Sequence, residues 1–412
     1  MKRKKPFTLL LTALLLAIVV AVSAVTTAHN IRQTAKPVQA TPSQAAAAVR
    51  DETLDNLRGI WVTYMDLSME YEADKSEAAF RKKFETIATA CRDLGCNALF
   101  VQVRPFCDAL YASKLFPASH ILSGTQGKSA GYDALQIMCD ISHGKGLKLH
   151  AWINPYRVIA NQTPEKLSAD NPCVKDESMV LKTDTDVILD PSNEKANKLI
   201  LDGVMEIADN YPVDGIHFDD YFYPPEMEGQ DDAQYQAYRD KAPQGKAMDV
   251  ATWRCYNVNM LIAQTYLSLH REHPEMVFGV SPQGNLGNNA ALSADVVNWC
   301  AKKGFIDYIC PQLYFSLDNP ALGFEQALSD WTALDYAEGV RLYVGLGCYK
   351  AGTDADEGTW LEKNDILAEE INILKKNDKV KGVVLYSYAS LYEPSAQQEI
   401  NNLEKALNAP AR

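Results

Sequence analysis

The sequence is short of positive charge. Its 412 residues hold 40 Lys and Arg against 53 Asp and Glu, a formal net charge of −13. Residues 1–56 carry seven basic and three acidic side chains, a local +4, so the total of −13 leaves −17 for the rest. A nucleic-acid binder needs a basic surface to meet phosphates, and this chain has the opposite. Cysteine is irregularly placed. The nine cysteines are an odd number, at spacings that fit no zinc pattern. Most lie inside apolar runs such as ATACRDL, IMCDI and YICPQL, which predicts buried free thiols rather than a disulfide framework. No Gly-rich turn follows the first strand-like segment, which argues against a dinucleotide site. No Cys closely follows the N-terminal apolar run, which argues against a lipoprotein anchor. Neither a metal nor a cofactor is expected.

The N-terminus itself is distinctive. Lys2, Arg3, Lys4 and Lys5 precede an apolar run from Phe7 to Val25. A basic segment followed by an apolar one is the export pattern, so residues 1–28 are expected to be a signal peptide or an uncleaved signal anchor. Small residues allow cleavage after Ala24 or Ala28, and the run is nearly long enough to span a bilayer. The remainder is then extracytoplasmic, secreted or held at the cell membrane by this segment alone. Residues 29–56, rich in Ala, Thr, Gln and Pro, read as a flexible linker.

From residue 57 the pattern becomes regular. Short apolar segments over 58–64, 97–103, 147–153, 214–219, 276–281, 305–311, 341–347 and 381–388 alternate with longer amphipathic stretches. Eight strand–helix units predict a parallel sheet closed into a (β/α)8 TIM-type barrel over 57–408. About 350 residues exceed the roughly 250 such a barrel needs. The excess lies at 104–130, 154–192 and 220–249, after the second, third and fourth strands. Those loops stand at the C-terminal face of the strands, where barrel active sites form, and would wall a groove for an extended substrate.

The strand ends carry the chemistry-bearing residues. Tyr64 and Asp66 follow the first strand, Arg104 and Asp108 the second, and Trp152, Asn154 and Arg157 the third. His217, Asp219, Asp220, Tyr221 and Tyr223 belong to the fourth. Gln283 follows the fifth, Gln312 and Tyr314 the sixth, Tyr349 the seventh and Tyr386 the eighth. Carboxylates, aromatic platforms and amide or guanidinium donors on one face make a sugar site, and glycoside hydrolysis needs two carboxyl groups. Period-two alternation puts Gly215, His217 and Asp219 on one face of the fourth strand. His217 would then lie one layer below Asp219 and hold it ionised by hydrogen bonding. Taken singly, Asp219-Asp220 also fits a capping turn, Arg104 with Asp108 an ion pair, and the aromatics core packing. A metal site from His150, His217 and Asp219 fits no known ligand spacing.

The segments LRGIWVTYMD, VQVRPFCDALYASKLFPAS, GYDALQIMCDISHGKGLKLHAWINPYRV, VDGIHFDDYFYP, GVSPQGN, DYICPQLYF and GVVLYSYASL resemble the glycoside hydrolase-like family 10, exported bacterial barrels with a DUF187-type domain. The resemblance runs from Leu57 to Glu393. It implies kinship with α-amylase-like barrels, whose fourth strand reads D-G-x-x-x-D with the last Asp as nucleophile; here that Asp is Asp219. It also implies hydrolysis of bacterial cell-wall glycan, notably peptide-free strands. Three departures stand out: His217 where amylases carry Arg, no carboxylate in FGVSPQGN where they carry the acid Glu, and Cys107 where relatives often have Gly. The acid must therefore come from elsewhere. Asp108, flanked by Phe106 and Tyr111, is the preferred candidate, with Asp220 and Glu226 as rivals. Arg104, Trp152, Asn154, Arg157, His217, Tyr221, Tyr223, Gln312 and Tyr314 are expected to hold sugar. The expectation is an exported glycoside hydrolase acting on a peptidoglycan-type polysaccharide; the alternative is a wall-tethered glycan-binding protein without turnover.

Overall fold

The computed structural model describes residues 54–224 and 228–410. The expected signal segment, almost all of the linker and Glu226 lie outside the described residues. Eight parallel strands close into a barrel: β1 (Leu57–Val62), β2 (Ala98–Arg104), β3 (Lys148–Ile153), β4 (Gly215–Phe218), β5 (Val277–Val280), β6 (Tyr308–Ile309), β7 (Arg341–Gly347) and β8 (Val380–Tyr386). Each pairs with the next, and β8 returns to β1 through Leu57 opposite Gly382 and Ile60 opposite Leu385. Helices α1 (Glu77–Leu94), α2 (Ala134–Gly144), α3 (Glu194–Asn210), α4 (Val250–Glu272), α5 (Val296–Ala301), α6 (Phe324–Thr332), α7 (Ile366–Leu374) and α8 (Gln397–Asn408) follow the strands in turn. This is the (β/α)8 fold that the alternation predicts.

The period of two sorts each strand into two cores. Outward residues such as Ile60, Val62, Leu99, Val101, Ile216 and Phe218 pack against the helices. Inward residues Trp61, Phe100, Trp152, Tyr308 and Tyr343 fill the lumen. Rings this large fit only because neighbouring strands carry glycine. A Cβ on Gly279 would fall 2.2 Å from the Tyr308 ring, and one on Gly59 would fall 2.6 Å from Phe100. The helices begin on side-chain caps: Ser76 accepts from the Ala79 amide and Asn193 from those of Lys195 and Ala196. Helix α1 stops at Gly95, where φ is 104° and the left-handed conformation favours glycine. Asn408 of the last helix donates to the Leu94 carbonyl at 3.0 Å, joining the ends of the ring of helices.

The three long loops are built on the upper face. The loop after β3 folds into a small antiparallel sheet of Arg157–Ile159, Val187–Leu189 and Val180–Lys182. The β2–β3 register shifts between Gln102 and Arg104, so that Gln102 lies opposite Trp152 and Arg104 opposite Ile153. That bulge turns Arg104 out of the lumen, against helix α3: a Cβ on Gly203 would stand 2.5 Å from its Nη1.

Candidate active site

A cavity of about 470 Å³ opens at the C-terminal ends of the strands. Its lining combines Trp61, Gln102, Trp152, Asp219, Asp220 and Gln283 with a tyrosine wall. Tyr314 stacks on Tyr386 with centroids 5.6 Å apart and meets the edge of Tyr349 at 5.8 Å. Such rings cover the apolar faces of sugars, while the amides pair with hydroxyl groups.

Asp219 is held by a chain of amides. The Tyr64 backbone N–H donates to Gln102 Oε1 at 3.0 Å. Gln102 Nε2 donates to Asn154 Oδ1 at 2.6 Å, and Asn154 Nδ2 donates to Asp219 Oδ2. Arg157 Nη2 stands 3.8 Å from the same oxygen, and its guanidinium covers the Tyr221 ring at 4.6 Å. Asp220 Oδ2 accepts from Gln283 Nε2. Among the described residues the second oxygen of each aspartate has no hydrogen-bond partner. The indole N–H of Trp152 also favours the ionised Asp219, although it stands outside hydrogen-bonding geometry.

The two carboxyls are 3 % and 1 % exposed. Burial raises Asp219 to about 7, against the opposing pull of Arg157, and the neighbouring Asp220 charge adds to the rise. Burial likewise raises Asp220 to about 6, with Gln283 pulling the other way. The pair as a unit therefore takes up and releases protons near neutrality, and around pH 6–7 it holds a carboxylic acid beside a carboxylate.

Beneath the cavity lies His217. Trp61 Nε1–H donates to its Nε2 at 3.2 Å, and the Ser281 hydroxyl lies 3.1 Å from the same nitrogen. A Trp N–H can only donate, so the ring proton sits on Nδ1 and is given to Tyr308 Oη at 3.0 Å. Burial holds His217 well below the usual histidine range, so the ring is neutral. The expected hydrogen bond from His217 to Asp219 is thus corrected: Asn154 and Arg157 fill that role, and His217 stays below the cavity floor. Among the described residues no three His, Cys, Asp or Glu side chains form a group that could hold a metal.

Trp152, Arg157, Asp219, Asp220, Tyr221, Gln312 and Tyr314 come together at the cavity, and Asn154 touches it through Asp219. Besides His217, three others do not. Arg104, turned outward by the bulge, is buried under Phe116 at 4.7 Å. Asp108 is wholly buried and receives Gln126 Nε2 at 3.1 Å, with His120 Nδ1 3.4 Å away, so it serves the loop and not the cavity. Tyr223 points to helix α4, accepting from Asn257 at 3.5 Å beneath Arg254. Gln283, Tyr349 and Tyr386, expected on this face from their strand ends, line the cavity, and so do Trp61 and Gln102, which the strand ends did not single out. The signal for Gln102 was present, since it shares the inward face of β2 with Ala98 and Phe100.

The sequence matches the family described as Glycosyl hydrolase-like 10 over residues 56–362. It is 33% identical over 359 residues to the glycosyl hydrolase YngK of Bacillus subtilis (strain 168), covering 81% of this chain and 68% of that protein. It is 29% identical over 394 residues to the glycosyl hydrolase DigH of Escherichia coli (strain K12), covering 87% and 88%. Among solved structures, the PgaB (BpsB) glycoside hydrolase domain from Bordetella bronchiseptica shares the fold. Its TM-score is 0.55 at 13% identity, over 84% of this chain and 99% of that domain.

Proposed function

We propose, from the premise that this chain belongs to the glycosyl hydrolase-like 10 family of glycosidases, that it is an exported enzyme cleaving a peptidoglycan-type glycan with Asp219 and Asp220 as its working carboxyls. One observation carries the reading: two buried aspartates with raised pKa values share an aromatic- and amide-lined cavity at the catalytic face of a barrel. Export rests on the basic and apolar N-terminal segment. The choice of glycan rests on the loop-walled mouth, which suits a polymer, and on the amide groups of Gln102, Gln283 and Gln312, which suit N-acetylated sugars.

At rest the shared proton favours Asp219, about 7 against about 6 for Asp220. Once a substrate N–H answers the second oxygen of Asp219, that residue, faced by Arg157 and donated to by Asn154, becomes the carboxylate and Asp220 carries the proton to the leaving oxygen. Their placement bears on the nucleophile. They are consecutive residues at the tip of β4, whereas direct double displacement draws its two carboxyls from either side of the scissile bond. A sugar with a 2-acetamido group resolves this. Its carbonyl oxygen attacks C1 as Asp220 protonates the departing oxygen, and Asp219 steadies the acetamido N–H. Water, giving its proton to Asp220, then opens the cyclic intermediate.

The test is release of reducing ends from purified peptide-free wall glycan. The wild type should produce them, and Asp219→Asn and Asp220→Asn should not. Retention of glycan on the wild type without new ends would make the protein a binder and overturn the enzymatic reading. Competitive inhibition by a thiazoline analogue of the cyclic intermediate checks the acetamido step. Full activity in its presence would return the nucleophile's role to a carboxylate.

A further inference from the structure

Two of the nine cysteines meet. Cys107, in the loop after β2, and Cys173, in the short helix Pro172–Lys175 of the loop after β3, bring their sulfurs to 3.6 Å. They stand 66 positions apart, so the fold and not chain proximity makes the contact. A third side chain holds both backbones. Asn171, wholly buried, donates from Nδ2 to the Cys107 carbonyl at 3.0 Å and accepts at Oδ1 from the Cys173 amide at 2.9 Å. The Cys107 amide in turn donates to the Arg157 carbonyl at 2.9 Å, and Arg157 is the cation beside Asp219. A disulfide needs its sulfurs about 2.05 Å apart. With sulfurs in contact and backbones pinned by Asn171, modest side-chain rotations close that gap.

We propose that Cys107 and Cys173 are a disulfide-forming pair that latches the loop after β2 to the loop after β3, behind Arg157. The oxidant is a small-molecule disulfide or a disulfide-bearing thiol oxidase. The thiolate of one cysteine attacks the oxidant's S–S bond, giving a mixed disulfide and one released thiol. The second thiolate attacks the first cysteine's sulfur, closing the protein bond and releasing the other thiol. Two protein thiols lose two protons and two electrons, and the oxidant leaves as two thiols. The cysteines are 2 % and 4 % exposed, so exchange takes place while the loops are still open during folding. The bond restricts the unfolded chain and, through the Cys107 amide, fixes the backbone that carries Arg157.

The full chain, unfolded in urea and refolded in mixed reduced and oxidised glutathione, is alkylated, digested and weighed. The expected product is one peptide pair joining Cys107 to Cys173, two hydrogens lighter than its separate parts, with the other seven of the nine cysteines alkylated. Reduction of that product should lower the melting temperature by roughly 5 °C. Asn171→Ala should cut the yield of the pair several-fold, and Cys255→Ser should leave it unchanged. Nine alkylated cysteines, or Cys107 joined at random to other partners, overturns the proposal. Where refolding yields little, the chain made directly in an oxidising compartment is alkylated and weighed in the same way, with the same two outcomes.

Discussion

Two storeys of one barrel lumen, a single strand step apart, have opposite chemistry. In the lower storey Phe100 stacks on His150 at 4.5 Å, and the His217 and Tyr308 rings lie parallel at 5.9 Å. His217 there is neutral and its two nitrogens are engaged. In the upper storey Asp219 and Asp220 are as deeply buried, yet among the described residues each keeps an oxygen without a partner, and the pair holds a proton into the neutral range. Burial is the same for all three titratable groups; what differs is that both His217 nitrogens are answered, while among the described residues one oxygen of each aspartate is not. A buried titratable group answered at every polar atom supports, while one left partly unanswered stores a demand that a ligand can meet.

The comparison breaks most sharply on single substitutions. Asp219→Asn should cost at least about 10³-fold in kcat while the melting temperature stays the same or rises. A cooperative loss of structure would show instead that the upper storey is a support. Phe100→Ala should do the reverse, costing about 3–5 kcal/mol in denaturant unfolding because a filled lumen cannot collapse around the void. Unchanged stability there would merge the two storeys.

The pH dependence sharpens the contrast. The folded pKa of Asp219, about 7, lies above its ordinary 3.8, so the folded state holds more protons between those values. Its contribution to stability is therefore greatest near pH 4, falls as pH rises through 7, and is flat above. Asp219→Asn lacks this loss, so the melting temperature of the variant should gain on the wild type between pH 4 and pH 8. A constant gap would show that the carboxyl titrates normally. The smallest effect is expected at the rim, where Tyr349 is 46 % exposed. Tyr349→Ala should raise KM a few-fold with kcat nearly unchanged, read from initial rates on soluble glycan fragments.

The barrel was legible because its signals are local and repeated: apolar runs of strand length, amphipathic helices, and Gly at helix ends such as Gly95. Asp219 was legible because the period of two aims it inward from β4. Arg104 was not, because a register shift of β2 against β3 is a pairwise property that no single strand records. Asp108 stands beside aromatic residues in sequence and sealed under Gln126 and His120 in space, and only the loop's path distinguishes the two. Gln283 lies in the segment FGVSPQGN after the fifth strand, which holds no carboxylate. Its importance comes from touching Asp220, a contact made across strands.

The clasp of Asn408 over the end of helix α1 has one more consequence. Asp55, Asn56 and Leu57 share a surface depression with Asn408, Ala409 and Pro410, on the side where the strands begin. The start and finish of the barrel are neighbours in space, so its strand order is a circle. A circular permutant with those ends joined by a short linker, and new termini cut between exposed Lys302 and Lys303 ahead of β6, should rebuild the same barrel. Its mouth, assembled from the opposite ends of the same strands, would not register where the chain begins.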